Sequence, residues 1–279
     1  VTSEFNGMKF ENNACGTPIT VGDYVYLTTS DGTLLKLNAA TGKTAATAVC
    51  KNIPLYFSQI AYGDGKIYVP QQTTTGVQIS GFDANSLTPV WQSSEVAYGE
   101  SAQQISSPIT YYSNHIYFGT YTQDAATYAY TSGVYASIDT QTGKIAWQHE
   151  NAAAGYYWNG GAVTGGAIAV SDTSGNISAY RLTDGALVSS VFAGGPVSST
   201  LCFAEGRIYA SLKSGTIYSA KADATGMIYG STALKSSVLG NNITSSPVVY
   251  NGRLYVAGGG FGSTTPFSVL NASDLTTIY

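Results

Sequence analysis

One short sequence pattern recurs six times along the chain and constrains the fold more than any other feature. In each copy a tight turn precedes a triplet with apolar flanks, and the central residue of the triplet is Tyr in five of the six copies. These central residues are Tyr26, Tyr68, Tyr117, Ala169, Tyr209 and Tyr255. Their spacings of 42, 49, 52, 40 and 46 residues indicate that the chain is a tandem array of similar units.

The third copy indicates most clearly what one unit contains. Apolar residues alternate there with small or polar ones in four short segments, a pattern typical of β-strands, and turn residues separate the segments. The segments are residues 106–111, 116–119, 133–139 and 144–147, with turns at 113–114 and 142–143. Units of strands and turns at this spacing predict an all-β fold, a single β-propeller of four-stranded antiparallel blades.

The repeats run through nearly all of the chain, so we expect one domain over residues 1–279. Six blades are predicted, over about residues 15–57, 58–105, 106–157, 158–196, 197–243 and 244–279. Residues 1–14 precede the first blade and are expected to dock where the ring closes, because pairing of the chain ends removes exposed strand edges. A seventh blade contributed from outside this sequence stays an alternative.

The repeat resembles the pyrroloquinoline-quinone-like propeller repeat. The strongest match is residues 136–147, ASIDTQTGKIAW, with weaker copies at 35–43, 81–91, 179–185 and 221–226. The resemblance implies the fold but no single activity, because this repeat occurs in quinoprotein dehydrogenases, outer-membrane assembly scaffolds and many secreted bacterial proteins. We place the chain in the non-enzymatic secreted or surface branch. The resemblance also implies that Trp91 and Trp147 pack between blades.

Composition argues against several classes of partner. Charged residues make up 10 % of the chain, the net charge is −4 and no basic run is present, so we expect no binding to nucleic acid. No apolar stretch approaches the roughly 18 residues that span a bilayer, so we expect no membrane insertion. The low charge and the abundance of Tyr, Ser and Thr favour an extracytoplasmic location, either secreted or on the cell surface.

The three cysteines, Cys15, Cys50 and Cys202, form no CxxC or vicinal pair. They therefore predict neither a metal site nor a redox motif, and we interpret them as buried small apolar residues. A disulfide between Cys15 and Cys50 stays an alternative, because these two residues flank the first blade.

The sequence offers no clear catalytic group. The resemblance to quinoprotein enzymes would require a calcium site and often a vicinal cysteine pair, which the chain lacks, so no cofactor and no metal are expected. His115 and His149, the only histidines, occupy positions typical of solvent-facing residues. Asp83, Asp139 and Asp223 follow third strands, where a carboxylate accepts backbone N–H bonds of the next turn.

Connection lengths indicate where a ligand would bind. Turns between strands one and two and between strands three and four are short, whereas the long insertions fall in the other connections, which emerge on the opposite face. These insertions are residues 93–105, 120–132, 148–159, 229–244 and 258–265. Elaborated loops on a rigid scaffold are where binding usually occurs. The predicted ligand-binding residues on this face are Tyr98, Gln103, Tyr121, Tyr128, Tyr130, Tyr156, Tyr157, Trp158 and Phe261.

Three hypotheses about function follow from these observations. The first is a non-catalytic extracytoplasmic scaffold, a monomeric domain of a larger chain, that binds a protein or another macromolecule of the cell surface through its long-loop face. The second is a carbohydrate-binding module, because exposed Tyr and Trp suit sugar rings. The third is an enzyme, either a polysaccharide lyase or hydrolase or a degenerate quinoprotein.

Overall fold

The structure is a computed structural model that describes residues 3–5, 8–10, 16–50, 59–99, 102–259 and 262–279, with side chains described from residue 16 onward. The described residues form strands, turns and irregular connections, and no helix among them is long and apolar enough to cross a membrane. The chain divides into two compact units. The first contains Val1–Thr122 and Gly133–Glu150, and the second contains Gln123–Ser132 and Asn151–Tyr279.

The first unit contains the strands of the first three predicted blades and an N-terminal hairpin. The hairpin is β1 (Ser3–Phe5) and β2 (Met8–Phe10). The first sheet is β3 (Ile19–Val21), β4 (Tyr24–Thr28), β5 (Thr33–Asn38) and β6 (Thr44–Val49). The second is β7 (Ala61–Gly63), β8 (Lys66–Gln72), β9 (Val77–Asp83) and β10 (Pro89–Gln92). The third is β11 (Thr110–Tyr112), β12 (His115–Gly119), β14 (Tyr130–Asp139) and β15 (Ile145–Asn151), with β13 (Thr122–Gln123) pairing with the start of β14.

The second unit contains the strands of the last three predicted blades. The fourth sheet is β16 (Ala162–Val163), β17 (Ala167–Ser171), β18 (Asn176–Arg181) and β19 (Leu187–Phe192). The fifth is β20 (Cys202–Ala204), β21 (Arg207–Ser211), β22 (Ile217–Ala222) and β23 (Ile228–Lys235). The sixth is β24 (Val248–Tyr250), β25 (Arg253–Val256) and β26 (Ser268–Asn271). The last residues partly supply its fourth strand, since the Ile278 N–H donates to the Val269 carbonyl at 2.7 Å.

The six sheets are antiparallel with consecutive strands adjacent, and each lies within one predicted blade range. One backbone hydrogen bond recurs in all six: an N–H near the end of the third strand donates to a carbonyl in the turn between the first two strands. The pairs are Ala39 to Asp23, Ala84 to Gly65, Thr140 to Asn114, Leu182 to Gly166, Ala222 to Gly206 and Ala272 to Gly252. This recurrence confirms that the six sequence copies are six copies of one structural unit.

The larger hydrophobic clusters lie between consecutive sheets, and a small one, Leu27, Leu35 and Leu37, lies within the first sheet. Leu34 of the first sheet packs in one cluster with Ile67 of the second, and Ile177 of the fourth sheet packs in one cluster with Ile208 of the fifth. Inner strands are therefore buried on both faces, whereas the outer strand β6 alternates between exposed and half-buried residues. Burial on both faces explains why the inner strands contain so many apolar residues.

Aromatic side chains also link neighbouring sheets by hydrogen bonds. Tyr26 Oη donates to the Ala84 carbonyl at 2.7 Å, and Tyr209 Oη donates to the Ala272 carbonyl at 2.9 Å. Both acceptors directly follow the last residue of a third strand. Tyr26 and Tyr209 are therefore buried and also fix the position of the next sheet, whereas Tyr68 Oη donates within its own sheet, to the Gly63 carbonyl at 3.0 Å.

Trp91 has the same role between the second and third sheets. Its Nε1 donates to the Thr140 carbonyl at 2.9 Å, which confirms Trp91 as a packing residue between sheets. Trp147 is buried, and its ring lies near Tyr117 and Tyr135 of its own sheet, at 5.7 and 6.3 Å between ring centroids. A packing role of Trp147 between blades stays a prediction.

Ala169 replaces the central tyrosine in the fourth sheet, and a serine supplies the link instead. Ser189 Oγ donates to the Gly226 carbonyl at 2.7 Å and accepts the Ile228 N–H at 3.1 Å. The donor between sheets thus differs in kind and position along the array, whereas the acceptor is a backbone carbonyl in each case.

The predicted turn caps are present. Asp83 Oδ1 accepts the backbone N–H groups of Asn85 and Ser86 at 3.0 and 2.8 Å, and Asp139 and Asp223 accept equivalent bonds from their own turns. These hydrogen bonds favour the charged form and hold the pKa of Asp83 below its usual value, with the Ser86 backbone N–H as the main cause.

Some predicted strand limits are wrong. The first strand of the third sheet begins at Thr110 rather than at residue 106, because Pro108 offers no N–H and the Ser107 hydroxyl replaces the ladder. Ser107 Oγ donates to the Gly119 carbonyl at 2.7 Å and accepts the Gly119 N–H at 2.9 Å. Two predicted loops also begin as strand, since β15 continues to Asn151 and β23 to Lys235.

A bulge lengthens β23. Lys221 pairs with Tyr229, but Ser219 pairs with Leu234, so β23 carries extra residues opposite β22. Thr232 Oγ1 accepts the Lys221 N–H at 2.9 Å and thereby takes the place of a ladder carbonyl within the bulge.

The remaining calls concern the N-terminus and the cysteines. β1 pairs with β2 in a sheet of their own, and docking of residues 1–14 at ring closure stays a prediction, as does a single domain over 1–279. Cys50 is buried with a free thiol, and desolvation raises its pKa to about 12. Cys202 is half-buried and also free, whereas Cys15 lies outside the described residues.

Candidate functional site

Connections at one end of every sheet are tight, as the sequence predicts, whereas those at the other end vary between sheets. At one end, pairs such as Asp64–Gly65 and Ser113–Asn114 adopt left-handed backbone in tight two-residue turns. At the other end the fourth and fifth sheets also have short connections, whereas residues 123–129 form a longer one that belongs to the second unit. The predicted binding residues of the second unit lie at or near these second ends.

Three predicted residues of the second unit form a stack of rings. The Trp158 and Tyr157 ring centroids are 4.4 Å apart, those of Tyr157 and Tyr130 are 4.7 Å apart, and the rings in each pair are within 30° of parallel. All three residues are half-buried. We call Tyr130, Tyr157 and Trp158, together with Lys213, the aromatic platform.

Lys213 completes the platform and was missed in the sequence analysis. Its Nζ lies 5.9 Å from the Tyr130 ring centroid, within the range of a cation–π interaction. Lys213 lies in the tight turn that joins β21 and β22, whereas the sequence predicts binding residues in long loops only. The chain has only 12 Lys and Arg residues, so a lysine in a tight turn was the signal by which the sequence could have indicated this residue.

The segment that carries Tyr157 and Trp158 is fixed at both sides by buried neighbours. Tyr156 is 3 % exposed, and burial raises the pKa of its hydroxyl. Asn159 is fully buried, and its Nδ2 donates to Ser171 Oγ at 2.9 Å and to the Val197 carbonyl at 3.1 Å. These anchors hold the platform rings on the fourth and fifth sheets.

Asn151 fixes the start of the same segment. Its Oδ1 accepts the N–H groups of Ala153 and Ala154 at 3.1 and 3.0 Å, and its Nδ2 donates to Asp172 Oδ2 at 3.1 Å. Asp172 in turn caps the tight turn between β17 and β18. The segment is therefore built onto a turn of the fourth sheet by side-chain hydrogen bonds.

The connection between β13 and β14 presents a single exposed aromatic ring. Tyr128 is 72 % exposed, although Asp124 organises the backbone around it. Asp124 Oδ1 accepts the N–H groups of Ala126 and Thr127 at 3.1 and 2.7 Å, and the Tyr128 N–H donates to the Asp124 carbonyl at 2.9 Å. A rigid loop thus displays Tyr128 two residues before Tyr130 of the platform.

Two aromatic residues of this region have left-handed backbone. The φ angle is +57° at both Tyr128 and Trp158, a conformation that large side chains rarely adopt. Such strain costs of order 1–3 kcal/mol, and Leu87 and Leu275 adopt the same conformation in turns elsewhere in the chain. The surrounding hydrogen bonds hold both aromatic residues in place despite this cost.

The predicted residues of the first unit already have partners within that unit. Gln103 is fully buried, where its Oε1 accepts the Thr120 hydroxyl at 2.8 Å and its Nε2 donates to Thr122 Oγ1. Tyr121 is buried beside Ser106, and Tyr98 packs against the core of the first unit. Phe261 lies outside the described residues. In Gln103 and Tyr121 the polar groups are already used in holding loops to the sheet.

The described residues contain no group of three or more His, Cys, Asp or Glu side chains that could hold a metal ion. His115 lies at a turn with its Nδ1 3.1 Å from the Ser113 carbonyl oxygen, and the His149 ring lies 5.6 Å from that of Trp147. The aspartates that end third strands, Asp83, Asp139 and Asp223, are used as turn caps.

Solved structures share this architecture at low sequence identity. BamB from Moraxella catarrhalis aligns with a TM-score of 0.61 and 16 % identity, over 86 % of this chain and 68 % of that one. A europium-containing methanol dehydrogenase aligns with a TM-score of 0.67 and 12 % identity, over 94 % and 68 %. A chain of the mitotic checkpoint complex aligns with a TM-score of 0.63 and 11 % identity, over 89 % and 72 %. At these identities the likeness concerns the fold alone.

The sheets and these likenesses define an all-β protein of the propeller class, built from pyrroloquinoline-quinone-like repeats. The chain belongs to the family of the outer membrane protein assembly factor BamB, whose family model matches residues 8–173, more than half of the chain. No curated protein sequence matches it.

Proposed function

We propose that this protein is a non-catalytic scaffold that binds a partner protein through the aromatic platform and Tyr128. The observation that carries the proposal is the stack of Trp158, Tyr157 and Tyr130, which ends at the Lys213 cation. Tyr and Trp are typical of the few side chains that dominate protein interfaces. The aspartates and histidines described above have structural partners, which favours binding over catalysis.

The location we propose is outside the cytoplasm. The family to which the chain belongs is that of the outer membrane protein assembly factor BamB, and a chain of similar fold is part of the mitotic checkpoint complex. Both observations support a protein partner, and the first supports an envelope location. The composition, low in charge and rich in Tyr, Ser and Thr, agrees with that location.

The proposal is tested by photo-crosslinking from the displayed tyrosine. p-Benzoylphenylalanine is placed at Tyr128 and, as the matched control, at Tyr250, which is 66 % exposed at the opposite end of its own sheet. Irradiation with cell-envelope extract is expected to give a discrete protein adduct from position 128 and none from position 250. The adduct should weaken strongly in a Tyr157→Ala background. Equal labelling from both positions, or none from position 128, would contradict the proposal.

A carbohydrate ligand is the second candidate. The stacked, half-buried rings of Tyr130 and Tyr157 and the exposed ring of Tyr128, two residues before Tyr130, are side chains on which sugar rings can stack. A glycan array probed with wild-type protein and with Tyr157→Ala protein decides this point, because specific glycan binding requires a signal that the variant loses.

A further inference from the structure

Lys213, the cation of the aromatic platform, forms no ion pair with an acidic side chain among the described residues. The two ion pairs among the described residues are Lys66–Asp64 at 2.9 Å and Arg181–Asp184 at 2.7 Å, and neither involves Lys213. The Lys213 ammonium group lies over the face of the Tyr130 ring. Lys213 is therefore a half-buried cation without a carboxylate partner within the described part of the molecule.

The backbone around Lys213 holds the residue in position. The Lys213 N–H donates to the Pro196 carbonyl at 2.9 Å, and the Lys213 carbonyl accepts the Asn242 N–H at 2.9 Å. Desolvation at this half-buried position lowers the pKa of the ammonium group. The turn thus holds a partly desolvated ammonium group at the end of a row of rings.

Resting on the function proposed above, we infer that the partner segment is acidic and that one of its carboxylates binds Lys213 while an adjacent apolar or aromatic side chain packs on Tyr157 and Trp158. An opposite charge at the interface would favour the charged form of Lys213 and replace the water that burial has removed. Charge complementarity therefore selects an acidic segment over a basic or neutral one.

A second basic residue lies close to the same part of the chain. A side chain at Gly194 would approach Lys235 Nζ at 3.6 Å, and Pro196, two residues later, accepts the hydrogen bond from the Lys213 N–H. Lys235 is exposed at the end of β23. Residues 194–196 therefore lie between the Lys235 ammonium group and the Lys213 backbone, so Lys235 adds a second positive charge near the segment that holds the Lys213 turn.

The test uses three fluorescein-labelled peptides of equal length that alternate Phe with Glu, Gln or Lys. Binding to the whole chain is followed by fluorescence anisotropy at low and moderate salt. The Glu peptide is expected to bind about tenfold more tightly than the Gln peptide, as for a hydrogen bond between charged groups. Salt should reduce this difference.

Variants assign the effect to Lys213. Lys213→Met should remove the difference between the Glu and Gln peptides. Lys144→Met makes the same change in net charge at an exposed turn position and should preserve the difference. Tyr157→Ala should weaken both peptides. A spectroscopic check is the NMR signal of ¹³C-dimethylated Lys213, whose pKa should rise when the Glu peptide binds.

The outcomes separate this inference from the proposed function. Equal binding of the Glu and Gln peptides, lost together in Tyr157→Ala, would overturn the acidic segment and keep the protein-binding platform. A preference for Glu that persists in Lys213→Met would overturn the role of Lys213. Absence of binding by all three peptides would count against both proposals, and binding of an acidic oligosaccharide in their place would assign the platform to the carbohydrate class.

Discussion

The tyrosine at the centre of the repeated triplet illustrates how one side chain can serve two sheets. Tyr26 and Tyr209 are buried within their own sheets, yet each hydroxyl donates to a carbonyl of the following sheet. A buried hydroxyl needs a partner, because an unsatisfied one costs of order 1–3 kcal/mol. The hydrogen bond therefore makes the burial of tyrosine tolerable and fixes the next sheet at the same time.

Loss of one hydroxyl should measure this link. Tyr209→Phe keeps the ring and removes the donor to the Ala272 carbonyl, so we expect a loss of about 1–3 kcal/mol in the free energy of unfolding. Tyr250→Phe is the control, because Tyr250 is exposed and should be neutral. Urea denaturation followed by fluorescence gives both values. A neutral Tyr209→Phe would mean that the contact between sheets depends on packing alone.

At the scale of elements, short-range chemistry made most strands predictable. Turn residues such as Asn114 and Gly206 adopt positive φ, and Asp83 and Asp139 cap turns. Both features depend only on neighbours a few residues away. The third strand of the third unit, predicted at residues 133–139, accordingly ends at Asp139 as predicted but begins three residues earlier, at Tyr130. The sequence could not predict where a side chain replaces a backbone hydrogen bond of the sheet, as Ser107 does in the third sheet.

The candidate site was less predictable because it depends on contacts between distant residues. Tyr130, Tyr157 and Trp158 were selected for their type, and the structure stacks them. Tyr121 was selected for the same reason, but an isolated bridge between Tyr121 and Gln104 pulls it into the interior. Exposure of a loop aromatic depends on such long-range pairing, which the local sequence does not encode.

A glycine pair with matched backbone should measure how sheets pack. Gly65 and Gly143 have φ of +69° and +71°, but a Cβ at Gly65 would meet nothing within 4 Å, whereas one at Gly143 would approach the Trp91 ring at 2.9 Å. Gly65→Ala should cost about 1–2 kcal/mol, the cost of left-handed backbone for an L-residue. Gly143→Ala should cost about 1–3 kcal/mol more, because it displaces Trp91.

Denaturant titrations and Trp fluorescence together check this prediction. The Gly143→Ala protein should also shift the Trp91 emission, because the Nε1 hydrogen bond to Thr140 is disturbed, whereas Gly65→Ala should leave emission unchanged. Equal destabilisation by the two substitutions would show that Trp91 adapts at no cost.

At the scale of the whole molecule, turn-capping carboxylates should set the response to acid. Hydrogen bonds lower the pKa of seven aspartates among the described residues: Asp31, Asp64, Asp83, Asp124, Asp139, Asp223 and Asp274. For Asp223 the hydroxyls of Thr225 and Tyr229 lower the pKa to about 2. Groups with depressed pKa in the folded state stabilise it above their unfolded pKa, and this stabilisation is lost as pH falls through the folded value.

We therefore expect the Tm to be nearly constant from pH 7 to about 5 and to fall steeply between about pH 4 and 2, where these aspartates titrate. Calorimetry over that range measures the slope. Asp223→Asn should make the fall shallower, because Asn38 shows in the first sheet that an amide caps such a turn, accepting the Thr41 N–H at 2.9 Å. An unchanged slope would exclude Asp223 as a contributor.

The links between sheets also bear on how such a chain tolerates sequence change. Tyr26, Trp91, Ser189 and Tyr209 are different donors, but each of their acceptors is a peptide carbonyl, which every residue type supplies. Mutation can move or replace the donor, whereas no substitution deletes the acceptor. Duplicated repeats can therefore drift apart independently while keeping their attachment, as befits a fold shared with solved structures at 11–16 % identity.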